Sequence, residues 1–209
     1  MNEPNFLDEG SRDAPTAVLA HGAGAAMDSD WMNRMSTELV ARGMRCVRFE
    51  FPYMAKRRAD GKRRGPDRHP VLLGAWRQAI KRLGDPNRLI IGGKSMGGRI
   101  ASMVADETGV AGLVCMGYPF HPPRSPEKLR VAHLRELQTP TLILHGERDP
   151  FGSPDEVAGY DLSDAISVHW VGDGDHSFKP RVRSGRTLQQ NMSEAADELA
   201  AFAKRVMAT

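Results

Sequence analysis

Short, continuous apolar runs recur along this chain, and longer segments with helical spacing separate them. Ala17-Val18-Leu19-Ala20, Leu89-Ile90-Ile91 and Leu142-Ile143-Leu144 lack the polar alternation of a half-exposed strand, so they fit strands buried on both faces. Ile166 to Val171 does alternate. The pattern predicts strands over 16–21, 45–50, 88–93, 112–117, 140–145 and 166–171. Helices are predicted over about 30–43, 70–83, 96–107, 154–160 and 187–206, with Ile100, Met103 and Val104 marking the inner face of one of them. The stretch 52–69 reads as a loop. The segment 119–138 reads as a mixed connection, where Pro119, Pro122, Pro123 and Pro126 bar a long helix but 127–137 has room for a short one. Strands alternating with helices predict an α/β fold. We expect a doubly wound, mostly parallel sheet of about six strands with helices on both faces, in a single domain over 1–209. Residues 1–15 have room for at most one edge strand, and no repeat or linker is visible.

The strand predicted over 88–93 runs straight into Gly93-Lys94-Ser95-Met96-Gly97, and a helix follows. Strand, sharp turn and helix are the surroundings in which G-x-S-x-G forms a nucleophile elbow, with Ser95 on a strained turn and glycines where strand and helix approach. A serine needs a base, and the base needs an orienting acid. Asp149 follows the strand predicted over 140–145, and His176 lies in the loop after the strand predicted over 166–171. The order Ser, Asp, His is the one this architecture uses. Glu147, Asp173 and Asp175 are rivals for the acid; the position after the preceding strand favours Asp149, and adjacency to His176 does not give Asp173 or Asp175 the reach an orienting carboxylate needs. The backbone N–H of Met96 and that of Ala23 or Gly24, in His21-Gly22-Ala23-Gly24, are the expected oxyanion donors. His21 and His145 read as structural supports and His169 as a packing residue. His69, His121 and His133 fall in variable segments. Tyr53 and Phe120 are the substrate-contact candidates, although Phe51-Pro52-Tyr53 serves equally well as packing.

At HGAG (21–24), GKSMG (93–97), HGERDP (145–150) and GDGDHSF (172–178) the chain resembles the α/β-hydrolase superfamily, over Thr16 to about Val206. Within it the chain looks most like small lidless members of the dienelactone-hydrolase-like kind. The run GGKSMGGRIASMVAD is also similar to a branch that includes a testis-expressed protein and a chromatin-complex subunit. Dienelactone hydrolases proper use a cysteine, and this chain has Ser95 there, so that activity does not carry over. The resemblance implies a serine hydrolase acting on a carboxylic ester or thioester, with no large cap over the site. The alternative is a hydrolase-like fold used as a binding module. The complete Ser95, Asp149 and His176 set favours the enzyme.

Composition narrows the setting. Hydrophobic residues make up 40% and charged residues 26% of 209, as in a globular domain with a full core. Met1 to Asn5 lacks a signal-peptide pattern, no apolar run reaches membrane-span length, and two cysteines make no disulfide framework, so a cytoplasmic protein is expected. Cys46 and Cys115 read as buried packing residues, and neither cofactor nor metal is expected. The segment 56–68 carries seven basic and two acidic residues in a chain of formal charge +3. It is either a solvated loop or a recruiter of anionic substrate. Without interleaved aromatics it makes a poor nucleic-acid surface, so the expected partner is a small-molecule ester.

Overall fold

The computed structural model describes residues 5–208, and it gathers the apolar runs into one seven-stranded sheet. The strands are β1 (Phe6–Glu9), β2 (Thr16–Ala20), β3 (Arg45–Phe49), β4 (Leu89–Lys94), β5 (Gly112–Met116), β6 (Thr141–Gly146) and β7 (Ile166–Val171). Their order across the sheet is β1-β3-β2-β4-β5-β6-β7. The six predicted strands pair in parallel, and β1 joins β3 antiparallel as the single edge strand for which 1–15 had room. Residues 1–4, part of the segment read as lacking a leader, lie outside the described residues.

The helices are α1 (Asp30–Ala41), α2 (Pro52–Asp60), α3 (His69–Leu83), α4 (Met96–Ser102), α5 (Ala105–Thr108), α6 (Pro154–Ala158) and α7 (Leu188–Met207). Side chains alternate across a strand, so each strand feeds two cores. Ala17, Leu19, Cys46, Ile90, Val114 and Leu142 pack with Met32, Met35 and Leu39 of α1 and Met192, Leu199 and Phe202 of α7. Val18, Ala20, Phe49, Ile91, Cys115 and Ile143 pack with Trp76 of α3 and Ile100 of α4 on the other face. Trp76 is fully buried, 4.7 Å edge-on to Phe49, a site where truncation to alanine costs about 3–5 kcal/mol. A Thr187–Gln190 capping box starts α7, and Lys204 and Arg205 end it, matching its dipole. Both cysteines are free and buried, one in each core. Among the described residues no helix is long and apolar enough to cross a membrane.

Three elements differ from the pattern. Residues 52–60, predicted as loop, form α2. Pro52 sits at its start, left-handed Gly61 (φ 69°) closes it, and Tyr53 and Met54 bury its inner face. The helix expected over 127–137 is only a 3-10 turn over 132–134. There the backbone binds across the fold: Arg130 N–H donates to Phe120 O, and Arg130 O and Leu134 O accept from Tyr118 Oη and Ser163 N. The helix expected over 96–107 breaks after Ser102. Met103 and Val104 bond three residues back, and α5 turns Asp106 toward the N–H groups of Gln138 and Thr139.

Candidate active site

β2 leads on to β3 on one side while its other neighbour, β4, leads on to β5, so the chain leaves these two adjacent strands in opposite directions. A crevice opens where the carboxyl ends of β2 and β4 diverge. Both strands end there in glycine-rich turns. After β4 the chain reverses at Ser95, whose φ of 50° and ψ of −115° lie outside the regions an L residue favours, at a cost of about 1–3 kcal/mol. Neighbouring structure holds it: Ser95 N–H donates to Met116 O at 2.9 Å, and Ser95 O accepts Arg99 N–H at 3.0 Å. A Cβ on Gly93 would come within 2.0 Å of Ala20 O, and one on Gly97 within 2.3 Å of the same atom. Only glycine at both positions lets the turn settle against β2.

His176 Nδ1 lies 2.7 Å from Asp149 Oδ2. The second Asp149 oxygen accepts Phe151 N–H at 3.0 Å. Burial pushes the Asp149 pKa up, but the His176 hydrogen bond and its other neighbours outweigh this and hold it below the ordinary value. The rival carboxylates are engaged elsewhere: Glu147 accepts Asp173 N–H, Asp173 pairs with Arg148 and Arg181, and Asp175 accepts the N–H groups of Ser177 and Lys179. The structure shows no hydrogen bond between Ser95 Oγ and His176, whose Nδ1 faces Asp149.

The His176 loop is tied from several sides. Asn191 of α7 donates to Gly172 O and Phe178 O, and Trp31 Nε1 donates to Ser177 O at 3.1 Å. From beneath, the Lys94 ammonium donates to His176 O and lies 5.4 Å from the Trp31 ring centroid. Burial pushes the Lys94 pKa down to about 8, with Asp149 and Asp175 opposing.

The 21–24 turn is drawn inward by two side chains. Tyr53 Oη donates to Ala23 O at 2.9 Å, and His21 Nδ1 lies 2.7 Å from Gly22 O while its Nε2 accepts Phe51 N–H. In a trans peptide the N–H points opposite its carbonyl, so the N–H groups of Ala23 and Gly24 face away from these anchors. His145 is likewise a support: Nε2 lies 3.0 Å from Gly152 O, and burial lowers its pKa to about 4, keeping it neutral. His169 lies 2.9 Å from Glu194 of α7.

A cleft of about 320 Å³ lies over Ser95. Ala23, Met96, Ile100, Phe151, Arg99, Arg130 and His69 line it, with Pro119 from the short connection. Tyr53 and Phe120, the expected substrate contacts, do not line it. They are 1% and 0% exposed and sit below it, Tyr53 under the 21–24 turn and Phe120 edge-on to His145 at 5.2 Å. Phe151, whose ring centroid is 4.5 Å from that of His176, was not foreseen, nor were the two arginines. Arg99 carries the one signal that could have found it: it lies one helical turn after Ser95, on the same side of α4. His69, read as a loop residue, opens α3 at the cleft's mouth.

A parallel sheet with a strained serine turn at its switch point and an imidazole–carboxylate pair on the following strand loops defines the α/β-hydrolase class. The alpha/beta hydrolase domain family matches residues 13–204, and the chain belongs to that family. It is similar in fold to Est1E from Butyrivibrio proteoclasticus, with a TM-score of 0.70 at 12% identity over 99% of this chain and 95% of that one. It is similar to an alpha-beta serine hydrolase homologue from Coxiella burnetii (TM-score 0.67, 17% identity, 94% and 89% covered). It also resembles XC6422 from Xanthomonas campestris, described as a serine hydrolase without lid (TM-score 0.66, 16% identity, 98% and 95% covered).

Proposed function

We propose that this chain is a serine hydrolase that cleaves a carboxylic ester or thioester through an acyl-enzyme. The observation that carries the reading is the 2.7 Å contact between His176 Nδ1 and Asp149 Oδ2, on loops that flank the strained Ser95 turn. In this reading Ser95 Oγ attacks the carbonyl carbon while His176 Nε2 takes its proton. Asp149 fixes the tautomer that leaves Nε2 free to accept, and it stabilises the imidazolium that forms. The backbone N–H of Met96 and that of Ala23 or Gly24 meet the developing oxyanion. The tetrahedral intermediate collapses, and the leaving alcohol or thiol departs with the proton from His176. A water then attacks the acyl-serine, His176 takes its proton, and collapse releases the acid and returns the proton to Ser95. Ester cleavage fits better than amide cleavage, because only His176 is available to protonate a poor leaving group. Placement with small lidless, dienelactone-hydrolase-like enzymes, and in the branch that holds the testis-expressed and chromatin-complex proteins, rests on the sequence motifs alone. A small-molecule substrate in the cytoplasm is part of the same proposal.

The test is the turnover of 4-nitrophenyl acetate. Ser95→Ala and His176→Ala should each lose on the order of 10⁴-fold in kcat, with Asp149→Asn losing somewhat less, because the three act as a unit. Retained turnover in Ser95→Ala would contradict the assignment.

A further inference from the structure

Two arginines line the Ser95 cleft, and among the described residues neither has a carboxylate partner. Arg99 stands four residues after Ser95 on α4, on the nucleophile's side of the helix. It is half-buried, its Nε is enclosed without a hydrogen-bond partner, and its Nη1 has only His69 Nε2 at 3.4 Å. No carboxylate pairs with it among the described residues, whereas Arg42, Arg45, Arg48, Arg58 and Arg77 all hold carboxylates at 2.6–2.8 Å. A second guanidinium, Arg130, reaches the same cleft from the 119–138 connection. Burial lowers the Arg99 pKa; the Tyr118 hydroxyl works against this and the Arg130 charge adds to it. The one carboxylate on the lining, Asp67, accepts Tyr53 N–H at 2.8 Å.

A partly desolvated guanidinium beside a like charge is costly unless an anion completes it. We infer that Arg99 and Arg130, with His69 at the rim, form an anion subsite beside Ser95, and that the substrate is an ester carrying a carboxylate or phosphate group within reach of it. The planar forks of two arginines suit the paired oxygens of either anion. This inference rests on the hydrolase reading for its reaction, but not for its binding site. Within the 56–68 segment, Arg58 is committed to Glu50 and Asp28, and Arg64 to Asp60.

The experiment compares kcat/KM of the full chain for two 4-nitrophenyl esters of equal length, the neutral pentanoate and the anionic hemiglutarate. The hemiglutarate should be preferred. Arg99→Gln should cut the hemiglutarate-to-pentanoate ratio by roughly 10- to 100-fold, the worth of a hydrogen bond to a charged group. Arg99→Lys, a milder change to the half-buried site, should recover part of the loss. Arg63→Gln, on the exposed loop, should leave the ratio where it was. Pentanoate turnover with no hemiglutarate preference, or with a ratio that Arg99→Gln does not move, overturns the subsite and leaves the hydrolase reading standing. If neither ester is turned over, that reading fails, and calorimetric titration of Ser95→Ala with glutarate and with inorganic phosphate decides the subsite alone. Binding that Arg99→Gln weakens supports it, and the tighter ligand names the anion; no binding of either overturns it.

Discussion

Lys94 occupies the variable position of the serine motif, where the sequence gives it no role, yet its ammonium is buried under the His176 loop against the Trp31 and Phe178 rings. The unfolded amine titrates near 10.5 and the folded one near 8. Below about 8 both states are charged, so the burial penalty, on the order of 3 kcal/mol, is fully present. Between about 8 and 10.5 the unfolded chain holds the extra proton, and stability rises with pH as the penalty is relieved. Urea unfolding of wild type and Lys94→Met across this window should show their difference moving in favour of wild type as pH rises. A flat difference would contradict the burial of a charged amine. That Ser95, Asp149 and His176 would gather at one edge of the sheet was legible, because each follows the carboxyl end of a strand. Arg130 and Phe151 were not, because each reaches the cleft through packing that no local spacing encodes; Arg99 alone left a local trace, one helical turn after Ser95.

The elements split along the same line. Strands with continuous apolar runs were found within a residue or two, because burial on both faces leaves few alternatives. α2 was missed because its basic residues masked the Tyr53-Met54 pair that anchors it, although Pro52 and Gly61 bracket it as helix boundaries. The helix expected over 127–137 failed for the opposite reason: its local pattern allowed a helix, but tertiary hydrogen bonds claimed its backbone. The charged face of α2 has a structural use. Arg58 pairs with Glu50, whose side chain is only 5% exposed, and with Asp28. Arg58→Ala strands the Glu50 carboxylate and should cost about 1–3 kcal/mol at pH 7 by urea unfolding. No measurable loss would mean that α2 is held by Tyr53 and Met54 alone.

Across the molecule, the sheet's reversal at β2 sets where chemistry can occur. It opens one crevice, and the Ser95 turn and the 21–24 turn enter it from neighbouring strands, with Asp149 and His176 following from β6 and β7. The alternation of strands and helices made the fold class readable in the sequence. The shape of the cleft depends on the 119–138 connection and was not. The most direct measurement is to treat the protein with a fluorophosphonate and map the modified residue by mass spectrometry, in wild type and in His176→Ala. A working nucleophile at Ser95 predicts a single adduct on Ser95 that His176→Ala slows on the order of 10³-fold or more. An adduct on another residue, or labelling of Ser95 at an equal rate without His176, would contradict it.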